Sequence, residues 1–338
     1  MGFYTGTAAA DTITGSAEAD NIQGFDGADV LNGGAGADIL YGDAGDDLLA
    51  GGVGDDRLEG GAGVDTADYT AATSPVLADL GAGRVSGPWN QADGASPAGA
   101  DTLVGVERVQ LTAFGDSVIG SAGDDYVLGA GGDDFIDGKG GANSLFGDDG
   151  NDTVIGGAGQ DIQRGGAGAD SLSGGGEWDY LHGNMGADTL HGGDAGDWVV
   201  GGQDGDLLYG DAGDDYIVAN LGADTTYGGE GADTILGGQA DDLMFGDAGA
   251  DYLSGDLGAD TLMGGDGADS FRFAAGTGSD RIADFDRAEG DQLVFSGATS
   301  YTAAQVGTDV VVTFGGGEVV TLAGVSQASL TAGWIVVG

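Results

Sequence analysis

A nine-residue period governs this chain. Residues 6–68 are seven back-to-back nonapeptides without an insertion, and residues 111–272 are eighteen more. A clean copy, Gly33-Gly34-Ala35-Gly36-Ala37-Asp38-Ile39-Leu40-Tyr41, gives the pattern G-G-x-G-x-D-x-U-x with U apolar. Position six is Asp in 24 of the 25 copies, the exception being Asn143, and position eight is apolar in all but two, Gln163 and Thr226. Such a register belongs to stacked architectures, where each unit buries its apolar residue only against its neighbours.

Composition alone would argue for disorder. The 76 glycines lose much backbone entropy on ordering, and a net charge of −49 expands a chain through self-repulsion. Both objections fall if the ordered state binds divalent cations. Fifty of the 57 acidic residues are Asp, the shorter carboxylate that suits a tight turn around a hard cation. No cysteine is present, so neither disulfides nor thiolate metal sites are available. Two histidines, His182 and His191, give little scope for zinc or histidine-based catalysis, and eight basic residues argue against nucleic acid as a partner.

Each nonapeptide reads as a turn followed by a strand. Residues seven to nine form a short strand whose middle side chain (Ile22, Leu31, Leu40, Leu49, Leu58 and their equivalents) faces inward. Positions one to six form the turn, with glycines at one, two and four expected to supply φ > 0. Two turns and two strands close an eighteen-residue coil, so repeats i and i+2 stack about 4.8 Å apart. Two position-six carboxylates then face a common gap. A calcium ion between them replaces repulsion with coordination, and its six to eight oxygens require main-chain carbonyls as well.

The nonapeptide resembles that of the RTX (repeats-in-toxin) family, the hemolysin-type calcium-binding repeats. The resemblance covers 225 repeat residues of 338. It implies an all-β fold, a right-handed parallel β-roll (a β-helix or solenoid) with a C-terminal β cap. It also implies that one site takes carbonyls at positions two and four with the Asp of one repeat. Carbonyls at positions one and three and the Asp of the repeat after next complete that site. One expected site is thus Gly34, Gly36 and Asp38 with Gly51, Val53 and Asp56. Another is Asp211, Gly213 and Asp215 with Gly228, Glu230 and Asp233, where Asp211 and Glu230 give only carbonyls. Further carbonyls fall at Gly42, Ala44, Gly45, Gly60, Ala62, Gly150, Gly165, Ala167, Gly231, Gly246, Ala248, Gly249, Gly264 and Asp266. The expected carboxylates are Asp29, Asp38, Asp47, Asp56 and Asp65 in the first array. In the second they are Asp125, Asp134, Asp152, Asp161, Asp170, Asp179, Asp188, Asp197, Asp206, Asp215, Asp224, Asp233, Asp242, Asp251, Asp260 and Asp269. At most about 21 ions result, roughly +42 against the chain's excess of acid. At the degraded copies 6–14, 15–23, 111–119 and 174–182, with Glu177 at position four of the last, the Asp can instead cap its turn without metal.

The chain accordingly divides into a first array (1–68), a spacer (69–110), a second array (111–272) and a cap with secretion region (273–338). The spacer stretches 76–80 and 101–107 read as β rungs around a mobile loop near Gly87–Ala100, a continuation coil with an insertion or alternatively a ligand-binding loop, and they resemble spacers common in RTX arrays. Gly276–Phe285 resembles the motif that closes such arrays. Asp309–Phe314 and Glu318–Leu322 flank a glycine triplet, a hairpin signal, and Trp334–Gly338 is an apolar terminus. No N-terminal export signal fits before Gly6, residue six rules out myristoylation, and no apolar run spans a membrane. The resemblance therefore implies type I secretion machinery as a partner, and a secreted, extracellular or cell-surface protein of a Gram-negative bacterium.

Outward positions carry a second pattern. Position seven reads Tyr126, Ser144, Ile162, Tyr180, Trp198, Tyr216, Thr234, Tyr252 at eighteen-residue steps, and position nine of the other sheet gives Tyr209, Tyr227, Phe245, Met263. These columns suit either ladder packing within the sheet or a face for self-assembly or a saccharide. No enzyme is expected. The recurrent G-x-G-x-x-G lacks a βαβ context, Gly138-Lys139 lacks the rest of a phosphate loop, and no EF-hand occurs. The expected role is a calcium-folded surface, matrix or assembly component, with a non-catalytic accessory module for a separate enzyme or a polysaccharide-binding adhesin as the alternative. An ice-binding lattice of Thr and Asn and a membrane-active segment are both missing.

Overall fold

The computed structural model describes residues 1–87, 99–274, 276–297, 300–315, 317–330 and 332–337. The expected loop around Gly87–Ala100 falls largely outside these residues, as do Gly316 and Gly338. The chain is all-β, a solenoid of stacked parallel strands with one short 3-10 turn at Gln327–Ser329. It forms two compact units, Met1–Gly168 and Ala169–Gly338.

In the first unit, strands from alternate repeats build two facing sheets. Asn21–Asp26, Ile39–Ala44 and Arg57–Ala62 lie in one, and Val30–Ala35, Leu48–Val53 and Thr66–Asp68 in the other. Pairing is parallel with an eighteen-residue offset, for example Leu31 with Leu49 and Leu40 with Leu58. The position-eight side chains Ile22, Leu31, Leu40, Leu49 and Leu58 are wholly buried. The second unit repeats this arrangement: Leu181, Leu190, Val199, Leu208 and Ile217 are wholly buried, and Leu190 pairs with Leu208. Gln163 and Thr226, the two polar exceptions, are buried as well.

Two details differ from the expectation. The strands run six residues in most repeats, through position three of the following nonapeptide, because glycine peptides keep pairing across coils: Gly34 with Gly52, Ala35 with Val53. Only positions four to six form the bend. Positive φ also falls at positions two and four, as at Gly34 (φ 97°) and Gly36 (φ 122°), but not at position one. Position one is glycine for a different reason, crowding, which the site explains.

Residues 69–110 contribute both a coil and a detour. Ala100–Val104 stacks in parallel on Arg57–Ala62, and Arg108–Gln110 lies between Thr66–Asp68 and Tyr126–Leu128. Leu77–Asp79 runs parallel to Ser117–Ile119, and Arg84–Ser86 is wedged antiparallel between Leu77–Asp79 and Ala100–Val104. In the second unit the aliphatic column gives way to aromatic rings. Ser270–Ala274 pairs with Gln292–Ser296, which pairs with Ile335–Val337. Ser279–Ile282 pairs with Glu318–Leu322, which forms the expected antiparallel hairpin with Asp309–Phe314. Phe273, Phe295 and Phe314 cluster over the last coils, with Phe295 and Phe314 at 4.2 Å, and Trp334 closes on Phe285. Apolar capping of this kind covers a column end that water would otherwise meet.

Because each coil rests on two inward side chains, Leu208→Ala is expected to cost about 2–5 kcal/mol, whereas Thr234→Ala on the outward face should stay within about 0.5 kcal/mol. Denaturant unfolding in calcium measures both.

Candidate metal centre

The position-six aspartates form ladders inside the coil edges. Each sits at the end of a bend whose neighbours point its side chain back toward position one, and most are almost fully buried. One carboxylate oxygen serves the backbone. In the first unit the N–H of Asp20 donates to Asp38 Oδ1 at 2.7 Å, that of Asp29 to Asp47 at 2.8 Å, that of Asp38 to Asp56 at 2.8 Å and that of Asp47 to Asp65 at 2.9 Å. In the second unit the same bond reaches Asp188, Asp197, Asp206, Asp215, Asp224, Asp233, Asp242, Asp251, Asp260 and Asp269.

The other oxygen is the unusual one. Oδ2 of Asp29, Asp38, Asp47, Asp56, Asp65 and Asp134 is buried with no hydrogen-bond donor, and so is that of Asp188, Asp197, Asp206, Asp215, Asp224, Asp233, Asp242, Asp251, Asp260 and Asp269. Burying one carboxylate oxygen without a partner is costly, and here the cost recurs coil after coil. Asp152, Asp161, Asp170 and Asp179 are buried at the equivalent places.

What lies next to these oxygens is a main-chain carbonyl. A Cβ built on Gly33 would stand 2.5 Å from both Asp38 Oδ2 and the carbonyl oxygen of Gly51, and one on Gly246 would stand 2.5 Å from both Asp251 Oδ2 and the carbonyl oxygen of Gly264. The same convergence joins Asp47 with Gly60, Asp215 with Gly228, and Asp233 with Gly246. Position one is therefore glycine because a side chain would fill the space between two negative oxygens. Two unprotonated oxygens at such a place suit a hard cation and repel each other without one. The position-three carbonyls of Ala44, Val53, Ala62, Ala167, Glu230 and Ala248 each accept an N–H from the coil before, leaving one lone pair. Among the described residues no three His, Cys, Asp or Glu side chains gather around one point, so the main chain must supply much of the shell.

Burial makes the metal-free carboxylates reluctant to ionise. Desolvation, opposed by the ladder hydrogen bond, raises Asp197, Asp206, Asp215 and Asp251 to about 7 and Asp134 and Asp242 to about 8. Asp20 behaves oppositely: the Ser16 hydroxyl holds it below the usual carboxylate range.

The ladders extend beyond the nonapeptides. The N–H of Asp56 donates to Asp101 Oδ1 at 2.9 Å and that of Asp65 to Glu107 Oε2 at 2.9 Å. Beyond the second array the N–H groups of Asp260 and Asp269 donate to Asp280 and Asp291, both at 3.1 Å. Asp101 Oδ2 is buried without a donor, whereas Asp291 Oδ2 accepts the N–H of Asp286 at 2.7 Å. The signal for all four was present: each acid is followed by x-U-x, as in Asp101-Thr102-Leu103-Val104 and Glu107-Arg108-Val109-Gln110. His182 and His191 lie on different sheets, and His191 Nδ1 stands 3.1 Å from Asp211 Oδ2.

The outward columns are real stacks within the second unit. Trp198 meets Tyr180 and Tyr216 edge-on at 5.4 and 5.7 Å. On the other sheet Tyr209, Tyr227 and Phe245 stack nearly parallel, at 5.0 and 4.7 Å, and His191 extends the stack at 4.3 Å. The position-nine column thus begins one rung earlier than the aromatic residues alone indicate.

The family model for the RTX calcium-binding nonapeptide repeat (4 copies) matches residues 5–67 and 103–282 in overlapping or adjoining segments. No curated protein matches. Among solved structures, the extracellular lipase LipA from Serratia marcescens is 17% identical with a TM-score of 0.24, covering 98% of this chain and 39% of the lipase. The AlgE6R3 subunit of the Azotobacter vinelandii mannuronan C5-epimerase is 31% identical with a TM-score of 0.23, covering 38% of this chain and 78% of that one. This chain therefore spans well under half the length of the lipase.

Two outcomes follow. Gly33→Ala, which places a methyl between Asp38 Oδ2 and the Gly51 carbonyl, should weaken calcium binding and lower the calcium-dependent melting temperature, as read by titration calorimetry and thermal scans. For pH, a carboxylate raised in the metal-free fold stabilises that fold fully below its unfolded value near 3.8. This contribution is lost as pH rises through about 7. Calcium-free protein should thus show more β circular dichroism at pH 5 than at pH 8. Calcium half-saturation should move to higher concentration at pH 5, because protons compete for the same oxygens.

Proposed function

Because the chain belongs to the RTX calcium-binding nonapeptide-repeat family, we propose that it is a secreted β-roll that orders when it meets calcium outside the cell. The observation that carries this reading is the run of buried carboxylate oxygens with no donor, which makes the ordered state unfavourable until a cation arrives. Binding free energy is folding free energy in such a system. Extracellular calcium modules bind at roughly 10⁻⁴–10⁻³ M, so the chain stays open where calcium is scarce and orders where it is abundant. Export by the type I route agrees with that order of events. Ions bind where a position-six carboxylate keeps an oxygen without a donor, and the calcium-ordered roll then serves as a surface, matrix or assembly component without a reaction of its own.

Size-exclusion chromatography with light scattering, in chelator and then in millimolar calcium, tests the reading. A smaller radius at constant mass is the expected result for a monomer, and a higher mass would mark calcium-driven assembly. An unchanged radius and mass would overturn the proposal.

The exposed stacks favour a second role, as a face for a saccharide or for another copy of the chain. Trp198 and Tyr216 are each more than 40% exposed although they sit in regular strands. Aromatic faces at regular spacing suit sugar rings or like rings. Replacing Tyr180, Trp198 and Tyr216 together by Thr should abolish glycan binding or self-association and leave calcium binding intact. Unchanged association would remove this second role.

A further inference from the structure

Four repeats solve the carboxylate problem without a cation. The first two nonapeptides of each run, 6–14 and 15–23, then 111–119 and 120–128, carry Thr7, Ser16, Thr112 and Ser121 at position two. In each, that residue turns back onto its own position-six Asp. Thr7 donates N–H and hydroxyl to Asp11 Oδ2 at 2.6 and 2.9 Å, and Ser16 does so to Asp20 Oδ2, both at 2.7 Å. Thr112 repeats the pair on Asp116 Oδ2 at 2.8 and 2.9 Å. Ser121 divides it, its N–H reaching Asp125 Oδ2 at 2.6 Å and its hydroxyl Oδ1 at 3.1 Å.

No other repeat has Ser or Thr at position two. The backbone divides along the same line. None of these four residues has positive φ, whereas position two is left-handed wherever Oδ2 is left without a donor: Phe25 (φ 77°), Gly34 (97°), Asp43 (73°), Gly52 (99°) and Ala130 (71°), then Asn184 (80°), Asp211 (74°) and Gly229 (109°). Left-handed conformation at Phe25, Asp43 or Ala130 carries a steric cost, so side-chain permissiveness is not what sets it. The two states exclude one another, because the N–H that a hydroxyl repeat gives to its own position-six Oδ2 points elsewhere in a left-handed one: that of Ala130 goes to Asp148 Oδ2 at 3.1 Å, that of Lys139 to Asp137 Oδ1 at 3.2 Å and that of Gly265 to Asp284 Oδ2 at 3.0 Å.

We propose that the residue at position two selects the partner of the position-six carboxylate, a cation for a left-handed residue and a side-chain hydroxyl with its own N–H for Ser or Thr. The repeats at 6–23 and 111–128 then bind no calcium at that carboxylate. The inference rests on the calcium-folding reading above. Asp125, counted among the expected ligands, falls on the hydroxyl side. Each ladder in the first unit thereby opens on a carboxylate already satisfied by the chain: Asp11 below Asp29, Asp20 below Asp38, Asp116 below Asp134, Asp125 below Asn143.

The test is to locate and count the ions. Anomalous scattering from crystals of the full chain grown in calcium should place ions beside Asp38, Asp47 and Asp56 and none beside Asp11, Asp20, Asp116 or Asp125. Atomic emission on dialysed protein should find about four more ions in the variant Thr7→Gly, Ser16→Gly, Thr112→Gly, Ser121→Gly, one for each freed carboxylate. Should that variant not fold, Ser16→Gly alone should still gain an ion beside Asp20, and the wild-type ion positions decide independently of any variant. Ions beside Asp20 and Asp116 in the wild type, or an unchanged count in folded glycine variants, would overturn this inference alone. No ion anywhere in the array would overturn it together with the calcium-folding reading.

Discussion

A carboxylate that is buried and only half satisfied is the interaction on which the rest of this structure depends. Most position-six aspartates give one oxygen to the backbone N–H of the coil before, a bond that follows the same stacking register as the strand pairing. The other oxygen meets a carbonyl of the coil after. A lone carboxylate in such surroundings prefers to stay protonated or to leave, and the upward displacement of Asp134, Asp197 and Asp242 expresses that preference. The acid that looks excessive in the composition is the half of each site that the chain can encode; the cation is the other half.

Glycine has two separate duties in this arrangement. At positions two and four it holds a left-handed backbone, and residues such as Asp211 and Ala195 stand there at a steric cost. At position one its φ is ordinary, and it is needed because Asp Oδ2 and a carbonyl oxygen occupy the space of a Cβ. The sequence pattern G-G-x-G merges these duties into one letter.

Much of the architecture was legible because position eight and position six recur on a strict count, and both turn out buried: Leu40 and Asp38 as much as Leu208 and Asp206. The six-residue strands were not legible, since glycine and Asp at positions one to three carry little β propensity and pair only because the coils stack. Asp101, Glu107, Asp280 and Asp291 were hidden by their spacing. A count of nine misses them, although the acid followed by x-U-x is intact at each. Glu107 also shows how a shorter turn is tolerated, its longer side chain reaching the Asp65 N–H that an Asp would otherwise meet. At 6–14, 15–23 and 111–119 the loss of glycine already allowed a turn capped without metal, but 120–128 was not singled out, and the role of the Ser or Thr at position two shows only in the donors around Asp20, Asp116 and Asp125.

The strand Arg84–Ser86 has a further consequence. Between Arg57–Ala62 and Ser117–Ile119, one sheet carries three strands, Ala100–Val104, Arg84–Ser86 and Leu77–Asp79, while the opposite sheet crosses the same interval with Arg108–Gln110 alone. At strand spacing the two extra strands add about 10 Å to one wall only. In the language of crystals this is an edge dislocation, an extra half-plane ended inside the lattice. The coils on its two sides are thus neighbouring grains, each internally regular, meeting where the two walls fall out of step by two strands.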